Sequence, residues 1–512
     1  MIIVYHIAGL VSAVEDDLGN PVSYHKKVAT EVLLECAKQF PEKLILWCSE
    51  QAREFINLSD IKKLFHHRRL MLSYGDVTHP FLSNHIGYIE DSPFIKVNPD
   101  VTYPTWQMHS FIGGLHASVL NAITTKIDTN KTLDFFLNML SRKLQPRGLI
   151  CQSEPRLLKE PNLANSQKAT TKELYAFIKQ NYKKRWLFFM LLMQVRYEKL
   201  FPVFTLIGAL FLEKKTALEI DFNEIPWDST LSIEEPFTVD VVIPTLGRKE
   251  YLHDVLLDFK NQSHLPERII IVEQNPEPHS KTALDYIASE EWPFEIIHIF
   301  THQTGACNAR NLAIAKSNAD WVFLFDDDGR LEPNVLNQIK HTLEKTGALC
   351  INMSYLQNGE VETNKRIKQW PYFGSGCSLV HKNIINKAFF DMALEHGYGE
   401  DVDFGMQIRN LGADVLYIPE IQIRHLKAPT GGFRSTPSFP WKDDKIQPKP
   451  SPQIMYHRTK NTTLEQLRGY KWILFFKYFR SQSIKNPFTY VRYYKKAWSS
   501  SRLWASKLPL DE

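Results

Sequence analysis

Three adjacent carboxylates, Asp326, Asp327 and Asp328, follow an apolar run from Trp321 to Phe325 and precede the turn residue Gly329. Neighbouring acids repel one another unless positive charge sits among them. A hard divalent cation is the obvious partner, because Mg²⁺ is commonly held by one or two carboxylates together with substrate phosphates. A solvated acidic turn is the bland alternative. A second acidic group stands further on, in Gly397-Tyr398-Gly399-Glu400-Asp401-Val402-Asp403. From Asp401 a helix is expected, with Phe404, Ile408 and Leu411 on one face and Gly412 as its stop. A carboxylate at that helix N-terminus is stabilised by the helix dipole. It either caps the helix or serves as a general base that takes a proton from a hydroxyl. Glu400 is the alternative base.

The elements that position these acids read as alternating strands and helices. Val239–Ile243 is a strand closed by Pro244-Thr245-Leu246-Gly247-Arg248, and Tyr251–Phe259 a helix. Arg268–Val272 is the next strand, ending in Glu273. Lys281–Ala288 reads as a helix, Phe294–Phe300 as a strand, Gly305–Lys316 as a loop and helix, and 321–325 as the strand before the acids. This alternation predicts a parallel, doubly wound sheet, whose ligands bind beyond the carboxyl ends of the strands.

The five segments Val241–Arg248, Ile270–Asn275, Gly305–Asn311, Phe325–Gly329 and Gly399–Phe404 occur in this order. Together they resemble a family 2 glycosyltransferase of the GT-A fold, over roughly residues 238–435. The resemblance implies a nucleoside diphosphate sugar of the UDP or dTDP type as donor, with Mg²⁺ or Mn²⁺ as cofactor. It implies Asp326 facing the nucleotide and Asp328 the metal, with Asp326 and His425 as further metal ligands; Asp327 is the least assignable of the three. Pro244, Thr245, Arg248, Glu273, Arg310, Asp326, Asp327 and the small residue Gly376 are expected around the donor, with Glu273 accepting from a pyrimidine ring. Asp401 is implied as the base of an inverting transfer. Pro429–Arg434 reads as a loop that could close over the diphosphate. A nucleotidyltransferase is disfavoured, because Leu246-Gly247-Arg248-Lys249 is too short for its Gly-rich loop. A non-catalytic sugar-nucleotide-binding or scaffold protein is the other alternative.

At 512 residues the chain exceeds one ordinary core, so several domains are expected. The expected order is an N-terminal Rossmann-like α/β domain over 1–150 and a helical connector over 151–236. A GT-A catalytic domain follows over 237–440, then a basic, aromatic helical tail over 441–512. The first domain shows no acid cluster matching 326–328; its Gly113-Gly114 reads as a turn before a helix. Lys168–Lys199 is a helix candidate, and the apolar stretch 186–212 reads as buried helices or a membrane-contacting hairpin, too broken to span. The six cysteines show no CxxC spacing, which fits a reducing cytoplasm. From Arg458 to Lys507 twelve Lys/Arg face the single acid Glu465, so this segment carries the chain's positive charge. With its rings, 458–507 suits a membrane surface, and a glycan or lipid-linked acceptor would make such docking useful. No nucleic-acid module is recognisable. The expected location is cytoplasmic, peripheral on the inner face of the membrane.

Overall fold

The computed structural model describes residues 1–123, 131–160, 167–213, 220, 222–428 and 438–508. The chain forms two compact units. The first comprises Met1–Leu231, Lys345–Gly347 and Thr463–Trp472; the second comprises Ser232–Glu344, Ala348–Thr462 and Ile473–Glu512.

The first unit is built on seven strands: β1 (Ile2–Ile7), β2 (Leu10–Asp16), β3 (Leu44–Ser49), β4 (Leu70–Tyr74), β5 (Tyr103–Pro104), β6 (Ile112–His116) and β7 (Ile150–Ser153). Their spatial order is β2-β1-β3-β6-β4-β7-β5. The α/β character expected from the sequence holds, but the sheet is mixed. β1 and β3 are parallel, as are β4 and β7, whereas β6 runs antiparallel to both of its neighbours. Gly113 and Gly114 lie inside β6 and form no turn. A Cβ on Gly113 would run into the Trp47 indole, and one on Gly114 into Leu46, so close packing explains the glycine pair. The helix after them is only Ala117–Asn121.

The expected helix over 168–199 is broken. Thr170 and Glu173 form a capping box that starts Thr171–Asn181. The chain then turns extended at Tyr182, whose hydroxyl donates to Glu90 at 2.5 Å. A second helix follows over Arg185–Met193, and a third over Val203–Phe211. Their buried sides share a core with Tyr175, Phe177, Ile178 and Trp106. Among the described residues, no helix is long and apolar enough to cross a membrane.

The second unit carries nine strands: β8 (Val239–Thr245), β9 (Arg268–Gln274), β10 (Glu295–Thr301), β11 (Trp321–Phe325), β12 (Gly329–Arg330), β13 (Cys350–Gln357), β14 (Lys368–Gln369), β15 (Cys377–His381) and β16 (Leu416–His425). Their order is β10-β9-β8-β11-β15-β13-β16-β12, with β14 on β16. The first four are parallel, as the strand–helix alternation predicts. β15 then enters antiparallel between β11 and β13, so the sheet as a whole is mixed. β11 is buried at all five positions, which accounts for its unbroken apolar sequence. Val242, Ile270, Val322 and Leu324 pack against Phe404 and Ile408 of the helix Glu400–Asn410.

The tail is helical, over Pro452–Asn461, Leu464–Ser481 and Pro487–Ala505. Ser451 and Asn486 cap two of these helices, each followed by Pro at the first turn. Tyr490, Tyr494 and Trp498 are buried, with the first two rings against Phe475. The loop 429–434 lies outside the described residues.

Candidate active site

The carboxyl ends of β8 and β11 lie side by side, and this brings Thr245 to the acidic turn. Asp327 points inward and is nearly fully buried. Its oxygens accept from Thr245 Oγ1 at 2.7 Å and from Arg248 Nη1 at 2.5 Å. Burial pushes its carboxyl up to about 6, against the pull of Arg248 and Thr245. Asp327 therefore fastens the turn to the strand beside it.

Asp328 is placed by a different pairing. β12 runs antiparallel to β16 with Gly329 opposite His425, so the imidazole lands beside the acid, with Nε2 at 3.5 Å from Oδ1. Arg248 Nη1 lies 3.2 Å from Oδ2, and the Ala428 N–H donates to the same oxygen at 3.1 Å. Burial alone would raise this carboxyl, but the bonds from His425, Ala428 and Arg248 outweigh it and hold it at about 2. Asp328 is thus a carboxylate at any ordinary pH. Tyr355 stacks on His425 with ring centroids 4.3 Å apart and donates its hydroxyl to Asp328 at 3.3 Å.

Asp326 has a different partner. Its Oδ1 accepts from Arg310 Nη2 at 3.0 Å. The antiparallel pairing of Phe325 with Cys377 sets Gly376 directly over it, where a Cβ would strike the Asp326 carboxylate. Arg310 comes from the helix Ala306–Ile314 and is buried, with its guanidinium also over the Phe390 ring at 5.4 Å. Its charge acts on Asp401 and Glu400 as well as on Asp326.

Asp401 stands in the first turn of Glu400–Asn410 and accepts from the Ser375 N–H at 3.3 Å. Burial pushes its carboxyl above the usual aspartate range, while Arg310 and Ser375 work in the other direction. Glu400 is raised too, by burial and by Asp401. Raised carboxyls in a cleft suit proton acceptance. Asp403, the third acid of this group, is fully buried and takes no part in the cleft. It accepts from Gln407 at 2.8 Å, Lys460 at 3.1 Å and Asn461 at 2.6 Å.

These groups line one cleft of about 730 Å³. Pro244, Thr245, Arg248, Arg310, Asp326, Asp327, Asp328, Gly376, Glu400, Asp401 and His425 all reach it. Glu273 does not. Its carboxylate is enclosed by Thr282 Oγ1 at 2.6 Å, the Ala283 N–H at 2.9 Å and His298 Nε2 at 2.9 Å. The same bonds hold 282–283 out of helical form, so the helix expected over 281–288 shrinks to Tyr286–Ser289.

The metal ligands expected from the sequence are divided. Asp328 and His425 meet; Asp326 turns to Arg310 instead. Among the described residues, no three His, Cys, Asp or Glu side chains converge as a ready cage. A carboxylate and an imidazole nevertheless fit a divalent ion whose other positions are filled by substrate phosphates.

Tyr355 and Glu395 are among the cleft residues that went unread in the sequence. Tyr355 lies at mid-strand and carries no motif. Glu395 accepts from the N–H groups of Cys307 and Asn308 at 3.1 and 2.8 Å, at the start of the Ala306–Ile314 helix. Its position shortly before Glu400-Asp401 was the only available signal.

A family model described as "Glycosyl transferase family 2" matches residues 240–398. The chain is 21% identical over 207 residues to the succinoglycan biosynthesis protein ExoM of Rhizobium meliloti (strain 1021), covering 36% of this chain and 66% of that protein. Among solved structures, S. aureus TarS 1-349 in complex with UDP-GlcNAc aligns with a TM-score of 0.35 and 14% identity, over 46% of this chain and 70% of that one. GalNAc-T7 with UDP, GalNAc and Mn²⁺ aligns with a TM-score of 0.31 and 14% identity, over 40% of this chain and 48% of that one. Residues 240–398 of this chain, with the acidic turn and the arginine that faces it, are a glycosyl transferase family 2 domain.

Proposed function

We propose that this chain is an inverting, metal-dependent glycosyltransferase. It moves a sugar from a UDP- or dTDP-linked donor to a hydroxyl of a cell-surface polysaccharide or lipid-linked glycan. The observation that carries the reading is the division of labour in one cleft. Asp401 is a half-buried carboxylate with a raised pKa, separate from the Asp326–Asp328 turn and electrostatically linked to it by Arg310. A transferase needs that separation, since one group must serve the acceptor while others serve the leaving group.

In this reading Asp401 takes the proton of the acceptor hydroxyl as its oxygen bonds to the anomeric carbon. The bond from that carbon to the diphosphate breaks, and the nucleoside diphosphate leaves with the electron pair. Asp328 and His425 would hold Mg²⁺ or Mn²⁺, which when bound neutralises charge on the departing diphosphate. Arg310 fixes Asp326 beside the nucleotide and keeps Asp401 from rising further. Pro244, Thr245 and Arg248 flank the donor, while Asp327 holds the turn from behind.

The relative's name, succinoglycan biosynthesis protein, supports a glycan acceptor. A cytoplasmic location, peripheral on the inner face of the membrane, accords with nucleotide sugars as donors. The test is a panel of nucleotide sugars with Mg²⁺ or Mn²⁺, monitoring nucleoside diphosphate release. Asp401→Asn should bind nucleotide and lose transfer. Transfer by that variant at the wild-type rate would remove Asp401 from the base role.

A further inference from the structure

The helices Arg185–Met193 and Val203–Phe211 bury one side and leave the other bare. Leu187, Met190, Met193, Leu206 and Ala209 enter the core of the first unit. On the far side of Val203–Phe211, Phe204 is 91% exposed and Phe211 83%, with Val203 and Ile207 also open. Phe201, 71% exposed, extends this stripe before the helix, and Phe188 adds to it from the neighbouring helix. Within the helix, the spacing 204, 207/208, 211 follows one face. Nothing between Val203 and Phe211 is charged. An apolar stripe of this kind marks an interaction site.

The charge around the stripe identifies the occupant. Lys183, Lys184 and Arg185 are exposed at the start of the first helix, and Arg196 and Lys199 are exposed in the connection to the second. From 183 to 213 the acids are Glu198, engaged by the Tyr88 hydroxyl and by His85, and the exposed Glu213, against the five exposed cations. The rim is therefore cationic around an aromatic centre. A second copy seated symmetrically on this face would bring like charges together. An anionic lipid surface complements both features at once, because rings enter the acyl boundary while Lys and Arg meet the headgroups.

We propose that this helix pair is an interfacial membrane anchor, seating Phe201, Phe204 and Phe211 below the headgroups of an anionic bilayer. At nine residues, Val203–Phe211 is about 13 Å long, so it lies in the interface and does not span it. The anchor is separate in sequence from the 458–507 segment, in which Tyr490, Tyr494 and Trp498 are buried while Phe476 and Phe488 are exposed. The inference does not rest on the chemistry assigned to the cleft.

The experiment is vesicle flotation of the full chain. Wild type should float with phosphatidylglycerol/phosphatidylethanolamine vesicles and bind pure phosphatidylcholine far less. Phe204→Ser with Phe211→Ser should lower the partition coefficient about a hundredfold, roughly tenfold per ring. Both side chains are exposed, so the melting temperature should not fall, and an unchanged melt excludes misfolding as the cause. Lys183→Gln with Lys184→Gln should lower the preference for anionic lipid by roughly tenfold or more. Three results would each overturn the proposal: no flotation of wild type, equal flotation of the double Phe variant, or a wild-type dimer in sedimentation that this variant abolishes.

Discussion

Replacing Arg310 by Met tests the electrostatic core of the cleft. The substitution keeps an unbranched side chain against Phe390 but removes the cation 3.0 Å from Asp326. Breaking a buried pair costs about 3–5 kcal/mol, whereas exposed pairs are worth about 1 kcal/mol or less. Arg310 is buried but the Asp326 side chain is 30% exposed, so a stability loss of about 2 kcal/mol is expected. The larger consequence concerns Asp401. Its carboxyl is already raised by burial, and Arg310 is the strongest influence lowering it. Without that cation the carboxyl must rise further. A general base acts only when ionised, so the acidic limb of kcat/KM must move to higher pH in Arg310→Met. Arg310→Lys, which keeps the charge, should return the limb part of the way. The assay is nucleoside diphosphate release across pH with saturating metal. A limb that stays in place, or moves to lower pH, would refute the link between Arg310 and Asp401.

Gly376→Ala should leave folding nearly intact yet displace the Asp326 carboxylate that a Cβ would strike. The expected result is weaker nucleotide binding by calorimetry, about tenfold or more, with a stability loss of about 1–3 kcal/mol. Chelation with EDTA should abolish turnover and Mn²⁺ should restore it; His425→Ala should raise the metal concentration for half-activation about tenfold. In the first unit, Asp134 is buried and its carboxyl is pushed up to about 6, although Ser110 donates to both of its oxygens. A raised acid contributes stability below its unfolded pKa and loses that contribution as pH rises through about 6. Relative to Asp134→Asn, the wild type should therefore gain about 2–3 kcal/mol between pH 7 and pH 4 in denaturant titrations.

What was legible in the sequence follows from the range of the forces involved. β8, β9 and β11 are runs buried on both faces, so their apolar stretches announce themselves. The order of acids, glycines and Arg310 along the chain marked the cleft for the same reason: each lies at the end of a recognisable strand or at the start of a helix. Pairing across the sheet was not legible. Nothing local says that β15 enters antiparallel beside β11, yet that pairing sets Gly376 against Asp326. Glu273 sits at a strand end like the others, but three donors from 282, 283 and 298 enclose it. Those partners are contributed by later segments, beyond the reach of a local pattern. The Gly113-Gly114 pair fails as a turn signal for a similar reason, since the Trp47 and Leu46 side chains that require it belong to another strand.

The two acidic motifs obey one physical rule. Several carboxylates cannot share a cleft as free charges, so each is given its own set of partners, with Arg248 shared by Asp327 and Asp328. In the turn, Asp327 is bound to Thr245 and Arg248, Asp326 to Arg310, and Asp328 to a set of donors that holds it ionised beside His425. In the helix Glu400–Asn410, Asp403 is paired with the Lys460 cation and accepts from the Asn461 amide, both of Pro452–Asn461, which leaves Asp401 and Glu400 at the cleft. The basic tail therefore has a task unrelated to any surface: one of its lysines and the adjacent asparagine satisfy the buried acid two residues from the proposed base. Without that pairing Asp403 would be an uncompensated buried charge on the helix that orients Asp401. The position of the proposed base thus depends on residues that no motif joins to it, and this ties the start of the tail to the cleft.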